Sequence, residues 1–106
     1  MSPAYAPETQ TRQEIDALPG ATLLNFGANW CGHCQAAAPL IDAALTTAPA
    51  IRHLRIEDGK GRPLGRSFAV KRWPTLVFLR DGAEVARLVR PDDAGEISRA
   101  LALINR

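Results

Sequence analysis

Residues 21–27, ATLLNFG, form a short and mostly apolar run that predicts a buried strand. Just before it, Thr11 and Glu14 match a capping box, and Ile15 with Leu18 give a short amphipathic helix stopped by Pro19-Gly20. After it, Leu40, Ile41, Ala44 and Leu45 share one face of a longer helix predicted from about Cys31 to Thr47. Pro39 lies inside that helix and has no N–H for the carbonyl of Gln35, so a kink is expected. IRHLRIE (51–57) predicts a second strand and PLGRSFAV (63–70) a short helix.

TLVFLR (75–80), Asp81-Gly82 and EVARLV (84–89) form a hairpin pattern, because Asp-Gly suits a tight type I′ turn. A final helix is predicted from near Asp93, with Glu96 completing a capping box and Ile97, Leu101 and Ile104 on its apolar face. Residues 1–7, with Pro3 and Pro7, are expected to be irregular or at best a short edge strand. The order predicts an α/β chain: a mixed sheet covered by helices.

Composition narrows the class without naming an activity. At 106 residues, 46% hydrophobic and 23% charged, the chain fits one globular domain spanning 1–106. A net charge of +2 supplies no strong field for a polyanion, so no nucleic-acid partner is expected. No apolar run approaches the ~18 residues of a membrane span, so no membrane partner is expected either. MSPAYAPETQ has neither a positive n-region nor an apolar h-region, so a cytoplasmic location is expected. In that compartment a cysteine pair points to catalysis or metal binding rather than to a structural disulfide.

Both cysteines, Cys31 and Cys34, lie in FGANWCGHCQAAAP (26–39), where the predicted strand passes into the long helix. The spacing has a physical rationale. A cysteine at a helix N-terminus meets free N–H groups and the positive dipole end, which favour a thiolate. Three residues of helix bring the second sulfur beneath the first, shielded from solvent but placed to resolve a mixed disulfide. Two other readings remain at this point: packing thiols, and a zinc site built with His33 and His53. Zinc wants four tetrahedral ligands, and His33 inside the Cys-x-x-Cys loop is poorly placed to close that geometry. GKG (59–61) lacks the pattern of a phosphate loop.

The chain resembles the thioredoxin family in WCGHC (30–34), in Pro39, in WPT (73–75) and in the hairpin turn RDGAEV (80–85). WCGHC is similar to the variant typical of protein disulfide isomerases. The resemblance covers nearly the whole chain and implies a thioredoxin fold, a central mixed sheet of four to five strands flanked by about four helices. It implies that Cys31 is the nucleophile, Cys34 the resolving thiol and Pro74 a cis-proline holding the substrate chain. Trp30 would pack beside the pair. Gly32, Arg72, Trp73, Thr75 and Arg90 would form the docking surface. No bound cofactor is implied, only a redox-active Cys31–Cys34 disulfide.

Three departures from the family pattern bear on rate and direction. His33 replaces the usual proline; a protonated imidazole there would stabilise the Cys31 thiolate and make the couple more oxidising. Asn25 stands where the family carries a buried acid, and an amide cannot take up a proton at working pH. His53, on the next strand, is the candidate to take over part of that proton transfer. Arg72 and Arg90 stand where glycine is common, and Trp73 where a smaller apolar residue is common, giving a bulkier and more basic platform.

The function expected is thiol–disulfide exchange with protein disulfide substrates, in the direction of net reduction and redox homeostasis. A thioredoxin-reductase-like or other thiol donor and a monomeric state go with it. Two alternatives stand beside it: a disulfide oxidase or isomerase, prompted by His33, and a binding module or adaptor that keeps the fold for one partner.

Overall fold

A computed structural model describes residues 4–105. Strand β1 (Ala21–Gly27) is buried from Thr22 to Gly27 because both of its faces are covered. Leu23 points to one side with Leu76 and Phe78; Leu24 and Phe26 point to the other with Val77 and Leu79. This double burial explains the near-continuous apolar run, which single-sided strands do not show.

The sheet has the order β2-β1-β3-β4, with β2 (Arg52–Glu57) parallel to β1 and the hairpin β3 (Thr75–Arg80) and β4 (Ala83–Val89) antiparallel. Four strands thus lie among the described residues. Asp81 and Gly82 take φ of 51° and 81°, the paired positive angles that a type I′ turn demands. On the outer edge of β2, Ala6 forms an isolated parallel bridge with Ile56. Residues 4–10 are otherwise irregular, so the segment forms a single bridge rather than an edge strand, and residues 1–3 lie outside the described residues.

Helices cover the two faces. α2 (Gly32–Leu45) and α4 (Ala94–Ile104) press Ala37, Ile41, Ala44, Ile97, Leu101 and Ile104 onto one side. α1 (Arg12–Asp16) and α3 (Pro63–Ser67) bring Ile15 and Leu64 to the other. The capping box at Thr11 and Glu14 forms in both directions.

The end of α3 and the cap of α4 differ from the sequence expectation in physically informative ways. α3 stops at Ser67, not at residue 70, because Ala69 turns left-handed at φ 56°. Its N–H and that of Val70 return to Arg66 and Gly65, a Schellman closure with alanine rather than glycine at the left-handed position. At α4 the Asp93 carboxylate accepts the N–H of Gly95, two residues on, so the cap forms there and not as a box with Glu96.

Candidate active site

β1 ends at Gly27, and Ala28–Trp30 turn the chain into α2 with Cys31 as the N-cap. The Cys31 sulfur accepts the Cys34 backbone N–H at 3.2 Å, so a helix-end donor is aimed at it. That sulfur thus meets both a backbone donor and the positive end of the helix dipole. Both cysteines are free thiols and buried, Cys31 at 7% exposure and Cys34 at 2%. Burial pushes the Cys34 thiol up to about 11, and its hydrogen bond to Cys31 adds to the rise. The two sulfurs are thus unequal: Cys31 caps the helix and accepts the Cys34 N–H, while burial keeps Cys34 protonated beneath it despite a hydrogen bond from the Ala28 backbone.

The loop facing the pair is held from several sides. The Trp73–Pro74 peptide bond is cis. The hydroxyl of Thr75, itself buried, donates to the Arg72 carbonyl at 2.6 Å. Arg90 sits at φ 51°, a left-handed angle that suits glycine better, and uses it twice. Its backbone N–H donates to Pro74 and its Nε to the Trp73 carbonyl, both at 2.9 Å. The Trp73 indole N–H is taken by Asp58 at 2.9 Å.

Trp73 and Tyr5 are the partly buried side chains that pack on Ala28, Cys31 and Cys34. Trp30, expected beside the pair, instead projects outward at 76% exposure and meets the Trp73 ring edge-on, centroids 5.4 Å apart. Gly32 faces open space, leaving the approach to Cys31 uncrowded. His33 is exposed and shares a pocket with Arg90, Pro91 and Asp92. Arg72 is exposed at the loop's start.

Asn25 is 2% exposed on the α2 side of β1, and both ends of its amide have a partner. Its Oδ1 accepts the Tyr5 hydroxyl at 2.7 Å, and its Nδ2 lies 3.4 Å from His53 Nε2. Burial, with help from Arg55, pushes His53 down to about 4, so the ring is neutral and Nε2 can accept. His53 therefore touches Asn25 and not the cysteines; a proton relay from it to Cys34 would have to cross the amide.

Two residues that sequence reasoning missed complete the site. Arg55, the parallel-register partner of Asn25, pairs with Asp42 at 2.9 Å and lines the same cavity as Tyr5 and Cys34. Tyr5 arrives from the N-terminal segment. Its backbone is bracketed by the Asn29 side chain, which accepts its N–H at 2.8 Å and donates to its carbonyl at 3.2 Å. Asn29 and Asn25 at the end of an apolar strand were the available signal, two amides with no evident partner. Among the described residues, no three His, Cys, Asp or Glu gather to hold a metal. The zinc reading has no ligand set there.

A mixed sheet presenting an unequal, buried dithiol at a helix N-terminus opposite a proline loop defines a thiol–disulfide oxidoreductase. The family model for thioredoxin matches residues 5–102, and the chain belongs to the thioredoxin family. Thioredoxin of Chlamydia trachomatis serovar D is 31% identical over 84 residues, 78% of this chain and 81% of that one. Protein disulfide-isomerase A2 of Pongo abelii is 44% identical over 66 residues, 58% of this chain and 13% of the much longer relative. The reduced structure of thioredoxin 2 from Pseudomonas aeruginosa PAO1 superposes with a TM-score of 0.87 at 53% identity, covering 98% of this chain and 96% of that one. Membership of this family, with both thiols present, supports the enzymatic reading over an adaptor.

Proposed function

We propose that the protein is a net reductant of protein disulfides, working as a single-domain cytoplasmic monomer recharged by a thioredoxin-reductase-like donor. The observation that carries this reading is the inequality of the two sulfurs. Cys31 Sγ accepts a helix N–H and is the nucleophile; Cys34, buried and pushed up to about 11, stays a thiol until a mixed disulfide calls on it. A dithiol whose second sulfur resists ionisation gains little stability in its reduced form, which favours giving its electrons away. The substrate chain lies along Trp73, Pro74 and Thr75, with Gly32 open beneath it and Arg72 and Arg90 at the rim. The Cys31–Cys34 disulfide is the oxidised product, and no further cofactor takes part.

The oxidase or isomerase reading draws on one observation, the pocket that sets His33 beside Arg90 near the N-terminus of α2. Positive charge there, set against Asp92 in the same pocket, would stabilise the reduced thiolate and raise the potential. The deciding experiment pairs insulin reduction, with dithiothreitol or a reductase as donor, with refolding of a scrambled disulfide protein. Net reduction predicts fast turnover in the first assay and slow turnover in the second. Fast refolding without insulin reduction would reverse the assignment.

A further inference from the structure

Resolution requires Cys34 to ionise inside the protein, and the groups that act on its sulfur are Cys31, the backbone at Ala28 and Tyr5. Asn25, where the family's acid is expected, is an amide whose oxygen accepts from Tyr5. We propose that the Tyr5 hydroxyl is a catalytic group of the exchange reaction, donating its O–H to the Cys34 sulfur as that sulfur becomes a thiolate.

Geometry supports this from three sides. A Cβ on Gly27 would fall 2.6 Å from Cys34 Sγ, 2.7 Å from Tyr5 Cζ and 2.8 Å from Tyr5 Oη, so phenol and thiol converge on the space that glycine leaves. The two Asn29 bonds and the Ala6–Ile56 bridge fix the backbone on either side of the ring. Asn25 gives the hydroxyl a resting acceptor at 2.7 Å, and the contact of its Nδ2 with neutral His53 keeps the amide oxygen turned toward Tyr5.

The phenol works as a donor, not as the base. Burial above all, and then the neighbouring Cys34 sulfur, hold it well above the ordinary tyrosine value, so it keeps its proton throughout. While Cys34 is a thiol, the O–H rests on Asn25; when the sulfur ionises, rotation about the phenol C–O bond turns it to Sγ. The charged or titratable groups around this contact are Cys31, Arg55 with its partner Asp42, and His53.

The step balances without an added reagent. The Cys34 proton passes to water in the cavity lined by Tyr5, Asn25, Cys34 and Arg55, whose volume of about 310 Å³ has room for several waters. Cys34 Sγ then attacks Cys31 Sγ in the mixed disulfide, and the Cys31–Cys34 bond forms as the bond to substrate breaks. The electron pair leaves with the substrate sulfur, which is protonated by solvent; the dithiol is oxidised and the substrate disulfide reduced.

The inference rests on the dithiol-exchange reading, and its test separates the two. Reduced protein is mixed with 5,5′-dithiobis(2-nitrobenzoate), which releases one thionitrobenzoate when Cys31 attacks and a second when Cys34 resolves. Tyr5→Phe keeps the ring and should leave the first release unchanged. The second should slow about tenfold, the loss of one hydrogen bond to a charged group, with its pH profile moved upward. Tyr5 is the sole tyrosine, so growth on 3-fluorotyrosine replaces this position alone. Its stronger phenol donor should move the same profile downward. An unchanged second release in Tyr5→Phe overturns the proposal, and so does a fluorotyrosine profile that stays put, since the ring would then act by packing only. If the wild type shows a first release and no second, the exchange reading itself fails along with it.

Discussion

His53 shows how a residue near the site shapes stability even where it does not touch sulfur. Folded, it is held down to about 4 by burial and Arg55, with Asp42 opposing. Unfolded, it returns to about 6.5. Between those values the unfolded chain binds a proton that the folded protein refuses, so stability falls as pH drops from about 6.5 toward 4. The shift corresponds to roughly 3 kcal/mol between those pH values. His53→Gln keeps an acceptor for Asn25 but removes the titration. Urea unfolding at pH 7, 5.5 and 4 should show the wild type losing that much more than the variant; parallel losses would rule this account out. His53 was legible as a residue near the buried amide. Its role was not, because only the folded register shows that Asn25 stands between it and the cysteines.

At the scale of elements, α3 and the loop after β2 are coupled to the proline loop through a carboxylate. Asp58 follows β2, lies against Gly65 of α3, and accepts the Trp73 indole N–H. A Cβ on Gly65 would meet the Asp58 carboxyl carbon at 2.6 Å, so Gly65→Ala must push Asp58 aside or open the helix. Overpacking of this kind costs roughly 1–3 kcal/mol. It should also free Trp73, changing the Trp30–Trp73 fluorescence and slowing exchange although Gly65 is remote from sulfur. A Gly65→Ala protein with native fluorescence and native rate would refute the coupling. The strands, α2 and the Asp81-Gly82 turn were legible because they follow from local periodicity and turn chemistry. Tyr5 was not, because its position depends on Ala6 bridging β2 and on Asn29 gripping its backbone, contacts between segments more than 20 residues apart.

For the whole molecule, the small net charge of +2 conceals an uneven surface. Arg62, Arg66 and Lys71 line a groove that ends on Trp73, with Asp58 in its wall; exposed Arg72 and Arg90 lie at the rim of the docking loop. Arg62 is already paired with Glu57 at 2.6 Å, so Arg66 and Lys71 carry most of the groove's field. Charges of one sign along a cleft raise the local concentration of the opposite sign, and salt weakens this once the Debye length falls to a few ångströms. Two disulfide peptides alike except for glutamate or lysine flanks therefore discriminate. At low salt the glutamate peptide should be reduced several-fold faster, with the ratio falling toward one near 1 M salt. Replacing both Arg66 and Lys71 with glutamate should invert the preference, and neither residue is among the groups that act on the Cys34 sulfur. Equal rates for the two peptides at low salt would mean that the groove plays no part in choosing substrates.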